Sequence, residues 1–419
     1  MWTAPSPPKD DDAVASEVHA ALLRAPVELD GLRRTCHARG GLRRRALRTL
    51  AWPKLVNVDR YSVERCQLER LAAAPHPQHG LIERDVERSM WHFSCAKRWD
   101  KKQLARSRRK LSVVVRAVVG AHKGELHYYQ GFHDVCTVAL LVAGGDERTA
   151  FCIAEAVGLR WLRDAMRADF GSLASTMRLL FPLIGAVDKP LARFLKKSEV
   201  ESFFAISWLV TWFAHDLDDL DLVARLYDRF LSSHPLFPLY VVAAIVIHRR
   251  GPLLACEHAE SNDDAYDDDV DGRLRCEFAS VHSYLCQLPA DLPWETLLDD
   301  AAALIKRVPP HRLEKLPAAA ERDDLKRLVA AGELWSLDPA CSGRALQRHA
   351  QPDWQLLASR RQAQGRRPIS RSVRSRRRPA PGAAALQLEP AAVGFATRAG
   401  VLFGAALLTA VVGRLAMGT

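Results

Sequence analysis

The chain has 419 residues, of which 48% are apolar, so it is long enough for one large domain or two ordinary ones with tails. Its net charge of +11 is concentrated in one stretch, because nine arginines and no acidic residue lie between Arg360 and Arg378. That stretch contains no aromatic residue on which a base could stack, which argues against a nucleic-acid-binding fold.

The cysteines and asparagines indicate a cytosolic body. Nine cysteines are scattered along the chain, and no two of them form a C-x-x-C pair. Neither of the two asparagines, Asn57 and Asn262, begins an N-glycosylation sequon. The residues up to Asp12 lack the basic and apolar regions of a signal peptide. These features predict reduced thiols in a cytosolic domain.

Helical patterning dominates the first three quarters of the chain. Residues 1–30 are rich in Pro, Asp and Ala, and we expect them to be mostly disordered apart from a short helix around Ala15 to Arg24. Apolar residues then recur at i, i+3 and i+4 from about Leu32 to Val329, without a convincing two-residue alternation. Turns rich in Pro, Gly and His divide this pattern. The pattern predicts an all-α fold, in one multi-helix domain that spans residues 31–345.

An acidic stretch interrupts the helical pattern near residues 257–273, with eight acidic residues between Glu257 and Asp271. It lacks the bidentate Glu and the helix pair that frame an EF-hand loop. The irregular spacing of Cys256, His258 and Cys276 does not favour a zinc site. We interpret the stretch as a solvated insertion.

Two further segments follow the helical domain. Residues 346–390 are rich in Arg, Gln, Pro and Ala, which predicts a flexible linker. Residues 391–417 are mostly apolar and carry no charge apart from Arg398 and Arg414, whose side chains can reach the lipid headgroups and so lengthen the apolar span. We predict a tail-anchor transmembrane helix here, with the arginine-rich linker on the cytosolic side and a length that suits the thin bilayer of the endoplasmic reticulum. The alternative is a terminal core helix of the globular domain.

Two short motifs stand out in a chain that has no Walker loop, dinucleotide glycine fingerprint, H-E-x-x-H or G-x-S-x-G. Ile82, Asp85 and Arg88 form I-x-x-D-x-x-R, whose spacing places them on adjacent turns of one helix face. The second motif is Y-Y-Q-G from Tyr128 to Gly131, where the glycine after the glutamine favours a tight, exposed turn. Taken singly, the first motif is typical of a surface ion pair and the second of packing.

Together and in this order, the two motifs resemble the signature motifs of the TBC-domain Rab GTPase-activating proteins. The resemblance continues in the segment from Gly41 to Leu55, where Trp52 looks like the family's core plug. It also includes SFFAISWLVTWFAHDL and RLYDRFLSSHPLFPLY between Val200 and Tyr240, and SVHSYLCQLPADLPWETL from Ser280 to Leu297. With its apolar C-terminus, the chain is especially similar to the tail-anchored subfamily of the endoplasmic reticulum.

This resemblance implies that the chain activates a Rab-family small GTPase in its GTP form. The GTPase would carry the GTP and Mg²⁺, so the chain would need no cofactor of its own. Arg88 would be the arginine finger, because a planar guanidinium can bridge phosphate oxygens while negative charge develops on them. Gln130 would hold the attacking water and donate toward the γ-phosphate, in place of the GTPase's own glutamine.

The resemblance also implies supporting roles for four residues. Asp85 would orient the guanidinium or cap a backbone amide, and Tyr128 would brace the glutamine turn, with plain packing as the alternative for both. Ile82 would belong to the core, and Gly131 would meet a conformational need. The family often has Thr after the finger arginine, whereas this chain has Ser89, which keeps the hydroxyl.

The expected setting is the membrane of the endoplasmic reticulum, with the helical domain in the cytosol and a role in traffic from this compartment to the Golgi. One alternative is a catalytically inactive scaffold that binds a Rab GTPase, although the presence of both Arg88 and Gln130 favours activity. Another is a membrane-shaping or lipid-binding protein that uses neither residue. No nucleic-acid partner is expected.

Overall fold

The computed structural model describes residues 10–58, 63–260 and 277–337, without the side chains of residues 256–260. The regular structure of these residues consists of nineteen α-helices and two 3₁₀ segments, Ala96–Arg98 and Ser202–Ala205, and they contain no strand. The all-α prediction is confirmed for this part of the chain. The α-helices are α1 (Asp11–Leu23), α2 (Leu29–His37), α3 (Arg45–Leu55), α4 (Arg65–Ala73), α5 (His79–Glu87), α6 (Lys101–Ala121), α7 (Phe132–Val142), α8 (Glu147–Arg160), α9 (Gly171–Met177), α10 (Leu180–Gly185), α11 (Lys189–Lys197), α12 (Ile206–Thr211), α13 (Leu220–Leu231), α14 (Phe237–His248), α15 (Arg250–Glu260), α16 (Phe278–Cys286), α17 (Trp294–Arg307), α18 (Pro310–Leu313) and α19 (Ala319–Ala330).

Several sequence predictions concern segments beyond these bounds. The linker at 346–390 and the tail anchor at 391–417 lie outside the described residues, as does most of the acidic insertion. Within the described ranges, none of the helices combines the length and the apolarity that crossing a bilayer requires. The anchor therefore stays a prediction.

The short helix expected around Ala15 to Arg24 is present as α1, which begins earlier, at Asp11, and packs against α2 and α3. Its inward face consists of four buried apolar residues, Val14, Val18, Ala21 and Leu22. At the N-terminus of the helix, the Asp10 side chain accepts from the backbone N–H of Asp12. Residues 11–23 thus belong to the folded body, since their apolar residues at i, i+4, i+7 and i+8 make a stripe that composition alone conceals.

The core is centred on two apolar helices. Every residue of α7 is buried, and so is α14 from Phe237 to Val246. Helix α7 packs against α6 and α8, whereas α14 packs against α10 and α17. Helix α6 also lies against α4, and a Cβ at Gly120 would lie only 2.3 Å from the carbonyl oxygen of Leu71. A glycine at this point is what allows the two helices to approach so closely.

A buried ion pair joins α3 to α13. The fully buried Asp228 accepts hydrogen bonds from Trp52 Nε1 at 2.8 Å and from Arg48 Nε at 3.1 Å. The backbone N–H of Leu42 donates to the same carboxylate at 3.1 Å. Trp52 also stacks on Tyr227, with ring centroids 5.8 Å apart. Trp52 is therefore a core residue, as expected, and its polar edge is satisfied by a carboxylate that pairs with a buried cation.

Candidate functional site

The first motif lies at the C-terminal end of α5. Ile82 and Asp85 are both completely buried on the inward face of this helix. Helix α5 ends at Glu87, so Arg88 is its C-cap residue and lies just beyond the last helical turn. The Arg88 side chain is 56% exposed, and its Nη2 donates to Asp85 Oδ1 at 2.5 Å. A buried carboxylate thus holds an arginine that reaches into solvent.

The second motif meets the first at the same carboxylate. The Tyr128 hydroxyl donates to Asp85 Oδ2 at 2.7 Å. Burial, followed by the charge of Asp85, raises the pKa of Tyr128, so the phenol keeps the proton that it donates. The backbone N–H of Tyr128 donates to Gln78 Oε1 at 2.6 Å, at the beginning of α5. The half-buried Gln130 follows two residues later. Asp85 therefore links Arg88 to the Gln130 turn.

The turn depends on Gly131 and on α12. Gly131 has a φ of +114° and precedes the first residue of α7. A Cβ at this position would lie 2.9 Å from Thr211 Cγ2. The hydroxyl of the neighbouring Tyr129 donates to the carbonyl oxygen of Val210 at 2.6 Å. Gly131 thus meets a steric need as well as the expected conformational one, because any side chain here would collide with α12.

A network of polar side chains continues behind Asp85 and was not predicted from the sequence. His133 Nδ1 lies 3.0 Å from the Tyr128 hydroxyl oxygen, and His133 Nε2 lies 3.3 Å from Asp134 Oδ1. His215 Nδ1 lies 3.0 Å from Asp134 Oδ2. Burial would raise the pKa of Asp134, but the charge of His133 and the hydrogen bond with His215 outweigh it and lower that pKa to about 2. Asp134 is therefore a buried anion between two histidines.

A strained turn brings His215 to this polar network. Trp212 and Phe213 have φ values of +52° and +65°, which are unusual for aromatic residues and occur only where packing imposes them. Both rings are buried, and Trp212 packs edge-on against the Tyr227 ring at 5.1 Å. The next carbonyl, that of Ala214, lies 2.9 Å from His92 Nε2. The turn thus presents polar groups both to α7 and to the segment that follows Arg88.

One local feature of the sequence could have identified part of this polar network. His133 and Asp134 follow the Gln-Gly pair after one residue, Phe132, and with Thr137 they are the polar members of a helix that is otherwise apolar. Polar side chains at buried helical positions require partners, so they indicate a site. Nothing near His215 in sequence indicates the same, because its partner lies 81 residues away.

Comparisons with known proteins identify the family of this chain. The family model for the Rab-GTPase-TBC domain matches residues 45–254, which is half of the chain and includes α5, the Gln130 turn and α13. TBC1 domain family member 20 of Mus musculus is 35% identical over 319 residues, covering 75% of this chain and 72% of the relative. The chain belongs to the Rab-GTPase-TBC family.

Two further relatives are consistent with this assignment. The GTPase-activating protein gyp10 of Schizosaccharomyces pombe is 30% identical over 303 residues, covering 72% of this chain and 74% of the relative. The crystal structure of the Ypt/Rab-GAP domain of Gyp1p superposes with a TM-score of 0.52 at 15% identity and covers 70% of this chain and 98% of that domain. At that identity, the structural likeness concerns the fold alone.

Family membership also identifies the class of partner. The family comprises GTPase-activating proteins that act on Rab GTPases, so the domain implies a Rab GTPase as its partner. All seven residues of the two motifs, from Ile82 to Gly131, lie within the matched region.

Proposed function

We propose that this chain accelerates GTP hydrolysis by a Rab-family GTPase, to which it supplies Arg88 and Gln130 in trans. The observation that carries the proposal is the double use of Asp85, which binds the exposed guanidinium of Arg88 through one oxygen and Tyr128, two residues before Gln130, through the other. One rigid carboxylate therefore couples an arginine and a glutamine that are 42 residues apart in sequence.

The chemistry of each side chain fits its role. Negative charge develops on the phosphate oxygens in the transition state, and a guanidinium can neutralise it while donating two parallel hydrogen bonds. The Arg88 side chain is exposed at the end of α5, so a GTPase can contact it without rearrangement of this helix. The Gln130 side chain has both an acceptor and a donor, so it can hold the attacking water and contact the γ-phosphate. The GTPase carries the nucleotide and Mg²⁺.

The test uses the full chain with a panel of GTP-loaded Rab GTPases. For the Rab that responds, Arg88→Ala is expected to lower kcat by about 10³- to 10⁵-fold, because the finger acts on the transition state. Arg88→Lys keeps the charge but loses the planar fork, so it recovers only a small part of the activity. Gln130→Ala is also expected to lower kcat, with little change in binding. Arg84→Ala serves as the control, because Arg84 is an exposed arginine one turn earlier on α5.

Three results would count against the proposal in different ways. If no Rab responds to the wild-type chain, the activity is wrong. If Arg88→Ala and Gln130→Ala both remain active, the activity stands and the assignment of the fingers is wrong. If a Rab in its GTP form binds tightly but is not stimulated, the chain is the inactive scaffold instead.

We also propose that residues 391–417 anchor the chain in the membrane of the endoplasmic reticulum, where it would act on Rab GTPases of traffic to the Golgi. The support is the apolar composition of this segment, its two flanking arginines and the arginine-rich stretch before it. Deleting residues 391–419 from the tagged chain is expected to move it from the membrane fraction to the cytosol. Continued membrane retention of the truncated chain would show that the anchor lies elsewhere.

A further inference from the structure

A large apolar side chain stands in solvent beside the proposed finger. Trp91 is 52% exposed, while Met90 before it and Phe93 after it are completely buried. Tryptophan carries more apolar surface than any other residue, and leaving it in water forfeits the free energy of burying it. Single exposed apolar side chains are common on protein surfaces, so what distinguishes Trp91 is its rigid backbone and its place beside Arg88.

The exposure does not come from a loose loop. Met90 has a φ of +68°, so the backbone turns sharply between the buried Met90 side chain and Trp91. Arg108 of α6 donates to the carbonyl oxygen of Ser89 at 2.9 Å. On the other side, the backbone N–H of Ser94 donates to the carbonyl oxygen of Asp218 at 3.0 Å. The segment that carries Trp91 is thus fastened at both ends.

The position of Trp91 limits what can cover it. Trp91 follows Arg88 by three residues, so their Cα atoms are at most about 11 Å apart. An arginine that reaches the nucleotide of a GTPase brings the surrounding surface against the same GTPase. An exposed tryptophan held rigidly at such a place has the properties of an interface hot spot, since little conformational entropy is lost when it is covered.

We propose that Trp91 is a docking residue for the GTPase partner, with its indole packed against apolar surface of the GTP-bound GTPase beside the nucleotide. The inference rests on the proposed function, which brings Arg88 to that nucleotide. A membrane surface could also take an exposed tryptophan, but the adjacency to Arg88 favours the GTPase. Trp91 contributes affinity rather than transition-state stabilisation, because its indole is uncharged and its single N–H cannot bridge phosphate oxygens as a guanidinium does.

The test separates binding from chemistry in the full-length chain. GTP hydrolysis is measured at increasing concentrations of the responding Rab, and binding is measured with the same Rab loaded with a non-hydrolysable GTP analogue. Trp91→Ala is expected to raise KM and weaken binding by about 30-fold, the effect of losing a hot spot, with kcat within about threefold of wild type. Trp91→Phe keeps an aromatic ring and recovers most of the affinity. Leu316→Ala, which removes another exposed apolar side chain, controls for loss of such surface in general.

The outcomes are distinct. Unchanged KM and unchanged binding in Trp91→Ala overturn the inference, even if Arg88→Ala abolishes activity and the proposed function stands. Loss of binding to anionic phospholipid vesicles, with KM for the GTPase unchanged, would assign Trp91 to a membrane contact and also overturn it. If the wild-type chain binds a Rab without activating it, weaker binding by Trp91→Ala still supports the docking role while the catalytic proposal fails. If the wild-type chain neither binds nor activates any Rab of the panel, both proposals fall.

Discussion

Among single side chains, Asp85 has the most constrained position in the candidate site. It has no exposed surface, and each of its carboxylate oxygens accepts a hydrogen bond. The Arg88 guanidinium donates to Oδ1, and the Tyr128 hydroxyl donates to Oδ2. A buried carboxylate is costly unless both oxygens are satisfied. Its contacts therefore restrict Arg88 to a small range of orientations before a partner arrives, which reduces the entropy lost when the finger enters the GTPase.

We predict that Asp85→Asn lowers kcat for activation about 10- to 100-fold while binding of the GTP-bound Rab changes little. The substitution keeps the volume but removes the charge, and a hydrogen bond to a charged group contributes about 1.5–3 kcal/mol. Tyr128→Phe is expected to act in the same direction, because it removes the second donor. Single-turnover hydrolysis at saturating chain, together with a binding assay, measures the two effects separately.

The control for this prediction is on the same helix. Glu83 accepts from Ser112 Oγ at 2.8 Å and from Arg116 Nη1 at 3.2 Å, away from the finger. Glu83→Gln is therefore expected to leave kcat within about twofold, since partly exposed pairs contribute little. If Asp85→Asn were as active as Glu83→Gln, the positioning role of Asp85 would be wrong.

The sequence predicted some of these residues and not their connections. The three-residue spacing in α5 places Asp85 next to Arg88, and the two side chains are in contact because that relation is local. The orienting role of Asp85 stays a prediction. The link from Asp85 to Tyr128 spans 43 residues and that from Asp134 to His215 spans 81. Such contacts are set by how α5, α7 and α12 pack, and no periodicity within one segment encodes them.

Among the structural elements, the turn that enters α7 links the candidate site to the core. Gly131 directly precedes this helix with a backbone conformation that other residues adopt only with strain, and it lies against Thr211 at the end of α12. Gln130 immediately precedes this contact. Any shift of α7 away from α12 would therefore move Gln130 as well.

We predict that Gly131→Ala lowers the free energy of unfolding by at least about 2 kcal/mol, because it combines backbone strain with a steric clash. Thr211→Ser removes the Cγ2 methyl that the new Cβ would meet and keeps the hydroxyl, which donates to the carbonyl oxygen of Ser207. The double variant should then be less destabilised than the sum of the single variants. Denaturant unfolding of the four proteins measures this coupling.

Gly124→Ala separates the cost of backbone strain from the cost of the steric clash. Gly124 also has a positive φ, +83°, but a Cβ there would meet nothing within 4 Å. It should cost only about 1 kcal/mol of conformational strain. Strict additivity of Gly131→Ala and Thr211→Ser would show that the clash is relieved by movement of the helices.

Sequence patterns were informative for elements where one segment carries the signal. The expected helical core between Val200 and Tyr240 contains α12 and α13 and the start of α14. The left-handed Trp212–Phe213 turn inside it was not anticipated, because aromatic residues adopt positive φ only under tertiary packing. Helix α1 was expected around Ala15 to Arg24, but its packing into the domain was not, since contact with α2 and α3 is what stabilises its short apolar stripe.

For the molecule as a whole, the pH dependence of stability should include a contribution from His234. Burial lowers the pKa of this histidine to about 4, and its Nδ1 accepts from the backbone N–H of Leu236 at 3.1 Å, just before α14. Both features require the neutral ring. A protonated ring would be a buried cation and would lose the acceptor that holds the beginning of this central helix.

The sign of the effect follows from the two pKa values. The folded-state pKa of about 4 lies below the ordinary value of 6.5, so the unfolded chain binds more protons between these pH values. The stability that His234 contributes is therefore complete above about pH 6.5 and is lost as the pH falls toward 4. Between pH 7.5 and pH 4.5 the loss should be on the order of 2 kcal/mol.

His234→Asn tests this contribution against the acid titration of the rest of the molecule. An asparagine side chain can accept the same Leu236 N–H bond in an Asx-turn but does not titrate. We predict that its free energy of unfolding, measured by denaturant at each pH, falls less steeply than that of wild type between pH 6.5 and 4.5, with similar values at pH 7.5. Parallel curves for the two proteins would mean that His234 titrates normally in the folded state, and that α14 begins without help from the ring. A variant already much weaker at pH 7.5 would instead assign the histidine a packing role.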